Sequence, residues 1–220
     1  MEFQGASFQN LGSWLLRLAR LDLTVFDDIK DDVSATVPAI AVVVAATVLA
    51  GLGSWLWWFN EIDYKNGEAF LKSLVLGGIF QVGLWYLWVY VSAMILSRGF
   101  RVSIDINQMV RTMGLAFAPM AFCILIVISI LAVPIGIIAV GLTLVLTNIA
   151  IAATTNADGR QVMIANFMGF LVFAIILGIL SNISEVGGGS VTVEGVRVSV
   201  GGISMGGGLA PGIFFFNLSP

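Results

Sequence analysis

The densest cluster of side chains able to do chemistry is acidic: Asp27, Asp28, Asp31 and Asp32 stand within six residues and form two like-charged pairs at i,i+4. Such pairs repel on a helix unless cations answer them, and Lys30 alone cannot answer four carboxylates. Ca²⁺ or Mg²⁺ would want oxygen ligands of this type, yet regular helical spacing lacks the loop geometry of cation sites. The cluster reads as a solvated face or a contact with a basic partner. Thr24 with Asp27 three residues on makes a start resembling a capping box.

The rest of the reactive inventory is sparse. The chain has no histidine, which removes the commonest metal ligand, the usual haem ligand and the usual general base together. A Ser-His-Asp triad cannot be built, and no G-x-x-x-x-G-K-[ST] phosphate cradle occurs. Cys123 is the single cysteine and lies in an apolar run, so it reads as a small buried hydrophobe. Catalytic residues, cofactor and metal sites are therefore not expected. The ten Lys and Arg residues are scattered, without the basic stripe that follows a nucleic-acid backbone.

These few groups must be positioned by elements that are mostly apolar. Hydrophobic residues make up 59% of the 220 positions and charged ones 10%, against roughly 25% charged in a soluble domain. With a mean hydropathy of +1.01, the chain reads as an all-α, multi-pass membrane protein of five spans. Val37–Trp58 is uncharged and long enough to cross a bilayer. Within it Ala46, Ala50 and Ser54 recur every four residues, a stripe on which a neighbouring helix can pack closely. Positions 73–97 supply the second span, ended by Arg98 and Arg101, and the stretch on to Arg111 reads as a surface segment. The apolar run Gly114–Thr155 would be about 63 Å as one helix, so it must turn. Pro134 beside Gly136 is the natural place, giving spans at 114–133 and 135–155, with Pro119 as a kink. The fifth span is 162–182.

No span so defined contains an ionisable residue, which argues against a pump or proton-coupled carrier. The polar groups inside, Gln81, Asn148, Asn166, Thr143 and Thr147, more often join helices than bind substrate. A channel or carrier for a small neutral solute is the alternative, and it requires Gln81, Asn148 and Asn166 to line one path.

Residues 1–36 form an interfacial segment. Leu11, Trp14, Leu15 and Leu18 share a helical stripe that places Trp14 at headgroup depth, and no signal peptide is evident. On one side of the membrane lie Arg17, Arg20, Lys30, Arg98, Arg101, Arg111 and Arg160; on the other, Lys65, Lys72 and Arg197. The positive-inside rule then puts the N-terminus in the cytoplasm of a cell-membrane protein and the C-terminus outside. The glycine-rich tail 183–220 carries strand alternation in Val191, Val193, Val196, Val198 and Val200, with Glu194-Gly195 as the turn of a hairpin over 190–200. An isolated hairpin is marginal and would pair with a partner. The apolar Ile213–Phe216 would return to the membrane or dock on a neighbour.

Two stretches and the topology resemble the Yip (Ypt-interacting protein) family, particularly its bacterial branch. One is Leu21-Asp22-Leu23-Thr24-Val25-Phe26-Asp27-Asp28-Ile29, an aspartate followed by a phenylalanine before the first span, with Leu23 where the family often has proline. The other is Arg111-Thr-Met-Gly-Leu-Ala-Phe-Ala-Pro119, at the start of the third span. The likeness covers about Leu15 to Asn182. It implies five spans and a membrane scaffold or accessory subunit, with no catalytic residues to carry over. Eukaryotic relatives engage prenylated small GTPases through a longer cytoplasmic region than the one present in this chain. The expected partners are the bilayer and other membrane subunits or copies of the same chain, with no nucleic acid.

Overall fold

Proline and the aspartates decide where the apolar stretches become helices. Asp32 accepts from the backbone N–H of Ser34 at 2.9 Å and starts the short 3₁₀ turn Val33–Ala35, which runs into a helix containing Pro38 in its first turn, where a missing N–H costs little. In the computed structural model, which describes residues 3–61, 70–184, 189–193 and 196–200, the helices are α1 (Phe3–Ala19), α2 (Val25–Lys30), α3 (Thr36–Glu61), α4 (Gly77–Met94), α5 (Ile106–Ala116), α6 (Ser129–Thr154) and α7 (Gly159–Ser184). Five segments are long and apolar enough to cross a membrane: Val33–Trp57, Leu74–Gly99, Ile106–Val127, Ile130–Thr154 and Gly159–Leu180. The protein is thus an all-α, multi-pass integral membrane protein.

The third span begins earlier than hydropathy suggests. Asp105 caps α5, accepting from the Asn107 N–H at 2.8 Å, so the helix starts at Ile106 and carries Arg111 with it. Pro119 lacks the N–H that would bond to Leu115, and the α-helix gives way to a 3₁₀ stretch, Ala118–Val127. At roughly 2.0 Å per residue there, against 1.5 Å in α5, the span reaches roughly 38 Å. It is therefore complete by Val127.

The turn between the third and fourth spans accordingly lies at Ile128, closed by Ile128 N–H to Leu125 O at 3.1 Å and Leu131 N–H to Ile128 O at 2.9 Å. Pro134 sits inside α6, one turn past its start, where it forfeits one intrahelical bond without ending the helix. The expected spans 114–133 and 135–155 are corrected on this ground.

By packing, the chain divides into two compact units. The first is Met1–Ala46, Trp85–Pro119 and Gly141–Phe173; the second is Thr47–Leu84, Met120–Val140 and Ala174–Pro220. In the first, α1 ends in a reversal at Leu21, whose φ of 61° is the left-handed conformation usually given to glycine. The N–H groups of Leu21 and Asp22 bond back to Leu18 O and Arg17 O. This folds α1 onto α2, and α2 buries Val25, Phe26 and Ile29 while packing on α5, whose Met109 and Met113 are also fully buried. Between α4 and α7, Trp88 meets Phe170 and Phe173 at ring separations of 5.3 and 5.6 Å.

In the second unit Trp55 and Phe70 meet edge to face at 5.3 Å. Strands β1 (Gly189–Val193) and β2 (Val196–Val200) pair antiparallel, with Val191 opposite Val198 and Val193 opposite Val196. Glu194-Gly195 and Ile213–Phe216 lie outside the described residues.

Candidate functional site

The aspartate cluster is answered from within the chain. Arg17, at the last turn of α1, donates Nε to Asp22 at 2.7 Å, Nη1 to Asp28 at 2.6 Å and Nη2 to the Thr24 hydroxyl at 2.9 Å. Lys30 donates to Asp27 at 2.8 Å and to the Ala153 carbonyl at 3.1 Å, where the C-terminus of α6 favours a cation. Gln108 donates to Asp31 at 2.9 Å, and Asp32 is spent on the Ser34 turn. An external basic partner is thus not needed to balance these carboxylates. Trp14 is 8% exposed and part of the core of the first unit.

The side-chain hydrogen bond from Arg17, then that from Thr24, holds the Asp22 carboxyl below its ordinary range. A depressed carboxyl stabilises the fold above its unfolded pKa, and that contribution is lost as pH falls through the folded value. The Asp27 hydrogen bond raises Lys30 above its ordinary value, so its contribution is complete below the unfolded pKa and lost as pH rises through the folded one.

Arg111 overturns the expectation of charge-free spans and of a surface segment leading to it. It is 6% exposed within Ile106–Val127, donating Nε to the Thr36 hydroxyl at 3.0 Å and Nη1 to the Lys30 carbonyl. These bonds tie α5 to the start of α3 and the end of α2, which makes the buried cation a clasp within the first unit.

The other intramembrane polar groups join helices too. Asn166 on α7 donates to Leu144 O at 3.1 Å and to Thr147 Oγ1 at 3.0 Å on α6, and its Oδ1 accepts from the Trp88 indole on α4 at 3.1 Å. Ser92 donates to Ala165 O at 3.2 Å. Ala46, Ala50 and Ser54 are all buried, and three glycines sit at close approaches. A Cβ on Gly114 would lie 2.9 Å from Ala39, one on Gly169 2.5 Å from Trp88 Cδ1, and one on Gly53 2.6 Å from the Ile124 Cα and nearer still to the Cys123 carbonyl. Only backbone against backbone or ring fits at these crossings.

An open cleft of about 280 Å³ remains between α6 and α7, lined by Leu144, Val145, Asn148, Ile149, Met163, Asn166 and Phe167. Val145, Met163 and Phe167 are more than half exposed around it. The Asn148 Oδ1 is buried there with no hydrogen-bond partner. Gln81 does not share this lining; it belongs to the second unit, fully buried, with neither amide atom partnered. Asn148 and Asn166 share the cleft in the first unit, and Asn166 is committed to helix contacts. The other amide in the cleft, Asn148, has an oxygen that no donor of this chain meets. No protein-family model, curated protein or solved structure matches the chain.

Proposed function

We propose that this protein is a non-enzymatic membrane scaffold or accessory subunit that works by helix packing and partner binding in a larger complex. The observation that carries the reading is Asn148: its amide oxygen meets no donor of this chain. The residue lines a cleft shared with Asn166 among lipid-exposed apolar residues of α6 and α7, so a turn of the side chain would present it to a partner helix. A buried acceptor without a donor costs about 1–3 kcal/mol. Lipid chains cannot supply that donor, whereas a helix of another subunit or of a second copy can. Asn166, Ser92 and Arg111 are engaged in tying this chain's own helices together, and among the described residues no three of Cys, Asp and Glu group as metal ligands.

Membership in the Yip family belongs to the same proposal. Its support is that the two stretches carrying the resemblance meet, with α2 packed on α5 and Arg111 bonded to the carbonyl that ends α2. A cell-membrane location with the N-terminus cytoplasmic and the C-terminus outside rests on the Lys and Arg asymmetry of the flanking segments.

The test is Asn148→Leu, which keeps the volume and removes the amide. An interhelical hydrogen bond of about 1–2 kcal/mol predicts association weakened roughly 5- to 30-fold, read as loss of the partner subunit or second copy from complexes isolated in mild detergent. Undiminished association of this variant would remove the reading's main support.

A further inference from the structure

A second cleft, of about 200 Å³, opens at the end of the second span and has a different character. Its lining combines Ser97 and Arg98 with Tyr90 and an apolar wall of Met94, Ile104 and Ile106. The local backbone builds it. Helix α4 widens into a π turn over Ile95–Gly99, closed by Phe100 N–H to Ile95 O at 3.2 Å, and such turns recur where a helix presents side chains for function. Arg101 then takes a left-handed φ of 57°, and Val102 N–H bonds back to Leu96 O at 3.0 Å. The reversal returns Ile104 and Ile106 along the end of the helix they have just left. Residues 90, 94, 97 and 98 fall on one helical face, so the cleft runs along the span from its polar rim toward its apolar interior.

Arg98 is the informative residue. It is exposed on the rim, it is the second-last residue of the span Leu74–Gly99, and among the described residues no carboxylate pairs with it. Asp105, the nearest in sequence, is committed to the Asn107 N–H at 2.8 Å. The Ser97 hydroxyl donates only to its own helix, to Met94 O at 3.3 Å, and can turn outward. A cation with fork geometry and a hydroxyl at the boundary of the span, above an apolar groove, match a phosphate above an acyl chain. A free anion would gain nothing from the Met94, Ile104 and Ile106 wall.

We propose that this cleft binds an anionic glycerophospholipid, its phosphodiester held by Arg98 and Ser97 and one acyl chain lying on Met94, Ile104 and Ile106. The bound lipid would make the membrane boundary at this corner part of the protein's structure, independently of which protein docks at Asn148.

The experiment titrates purified, delipidated full-length protein with dioleoyl phosphatidylglycerol and, separately, dioleoyl phosphatidylcholine, counting retained lipid by native mass spectrometry. The wild type should hold the phosphatidylglycerol more tightly. Arg98→Gln should weaken it roughly tenfold or more, the scale of a charge-assisted bond, while Arg101→Gln, which removes an equal charge from the adjoining exposed turn, should cost no more than about fivefold, the general surface attraction of one cation. Met94→Trp should fill the groove and weaken binding with the charge intact, and it carries the test if Arg98→Gln fails to fold. Equal losses for Arg98→Gln and Arg101→Gln, unaltered binding in Met94→Trp, or displacement of the lipid by inorganic phosphate at equal concentration would each overturn the proposal.

Discussion

Arg111 shows how a charge is accommodated where hydropathy predicts none. Its guanidinium is enclosed by α2, α3 and α5 and directed at two neutral oxygens, the Lys30 carbonyl and the Thr36 hydroxyl. Arg111→Ala strands the Lys30 carbonyl and opens a void, so a loss of about 2–4 kcal/mol is expected. Reversible SDS or thermal unfolding in detergent checks it, and Arg111→Lys should recover only part, because a point charge cannot reproduce two directed bonds. The sequence displays the residue but not its partners, which lie 75 and 81 positions away. The aspartates teach the same lesson: the i,i+4 repulsion was legible, whereas its answer came from Arg17, eleven residues from Asp28, and from Gln108, 77 residues from Asp31. Local spacing reports repulsion well and long-range satisfaction hardly at all. Asn148 is the opposite case, since its type and apolar setting were plain in the sequence and only the structure separates it from the fully engaged Asn166.

At the level of elements, five apolar helices were readable because lipid demands about 20 uncharged residues per crossing, and that pattern needs no knowledge of neighbours. Boundaries were less readable. Pro134 advertised a turn that the chain makes at Ile128, because the cap at Asp105 had already begun the third span and the 3₁₀ winding after Pro119 lengthened it. Close packing was legible only in part. Ala46, Ala50 and Ser54 formed the visible stripe and are buried, while close approaches also occur at Gly53, Gly114 and Gly169, which show no four-residue repeat with one another. Gly169→Ala places a methyl against Trp88 and Ser92 and should destabilise by about 1–3 kcal/mol. Gly83→Ala on α4 meets no atom within 4 Å and should be neutral or stabilising by up to about 1 kcal/mol. The pair is compared by the same unfolding assay, and equal effects would remove the close-packing explanation.

On the proposed function, the molecule as a whole would offer surfaces to its neighbours: a cleft with an unmet amide, a corner at the end of the second span with an arginine that no carboxylate pairs, and the hairpin of β1 and β2. The proposed topology has five crossings, which would leave the two ends on opposite sides of the membrane. Cys123 is the sole thiol and is buried, so Cys123→Ala gives a clean background for Ser7→Cys and Ser204→Cys, labelled in intact cells with a membrane-impermeant maleimide. The account predicts that Ser204→Cys reacts from outside while Ser7→Cys stays protected until the membrane is opened. Reaction of both from the same side would contradict it.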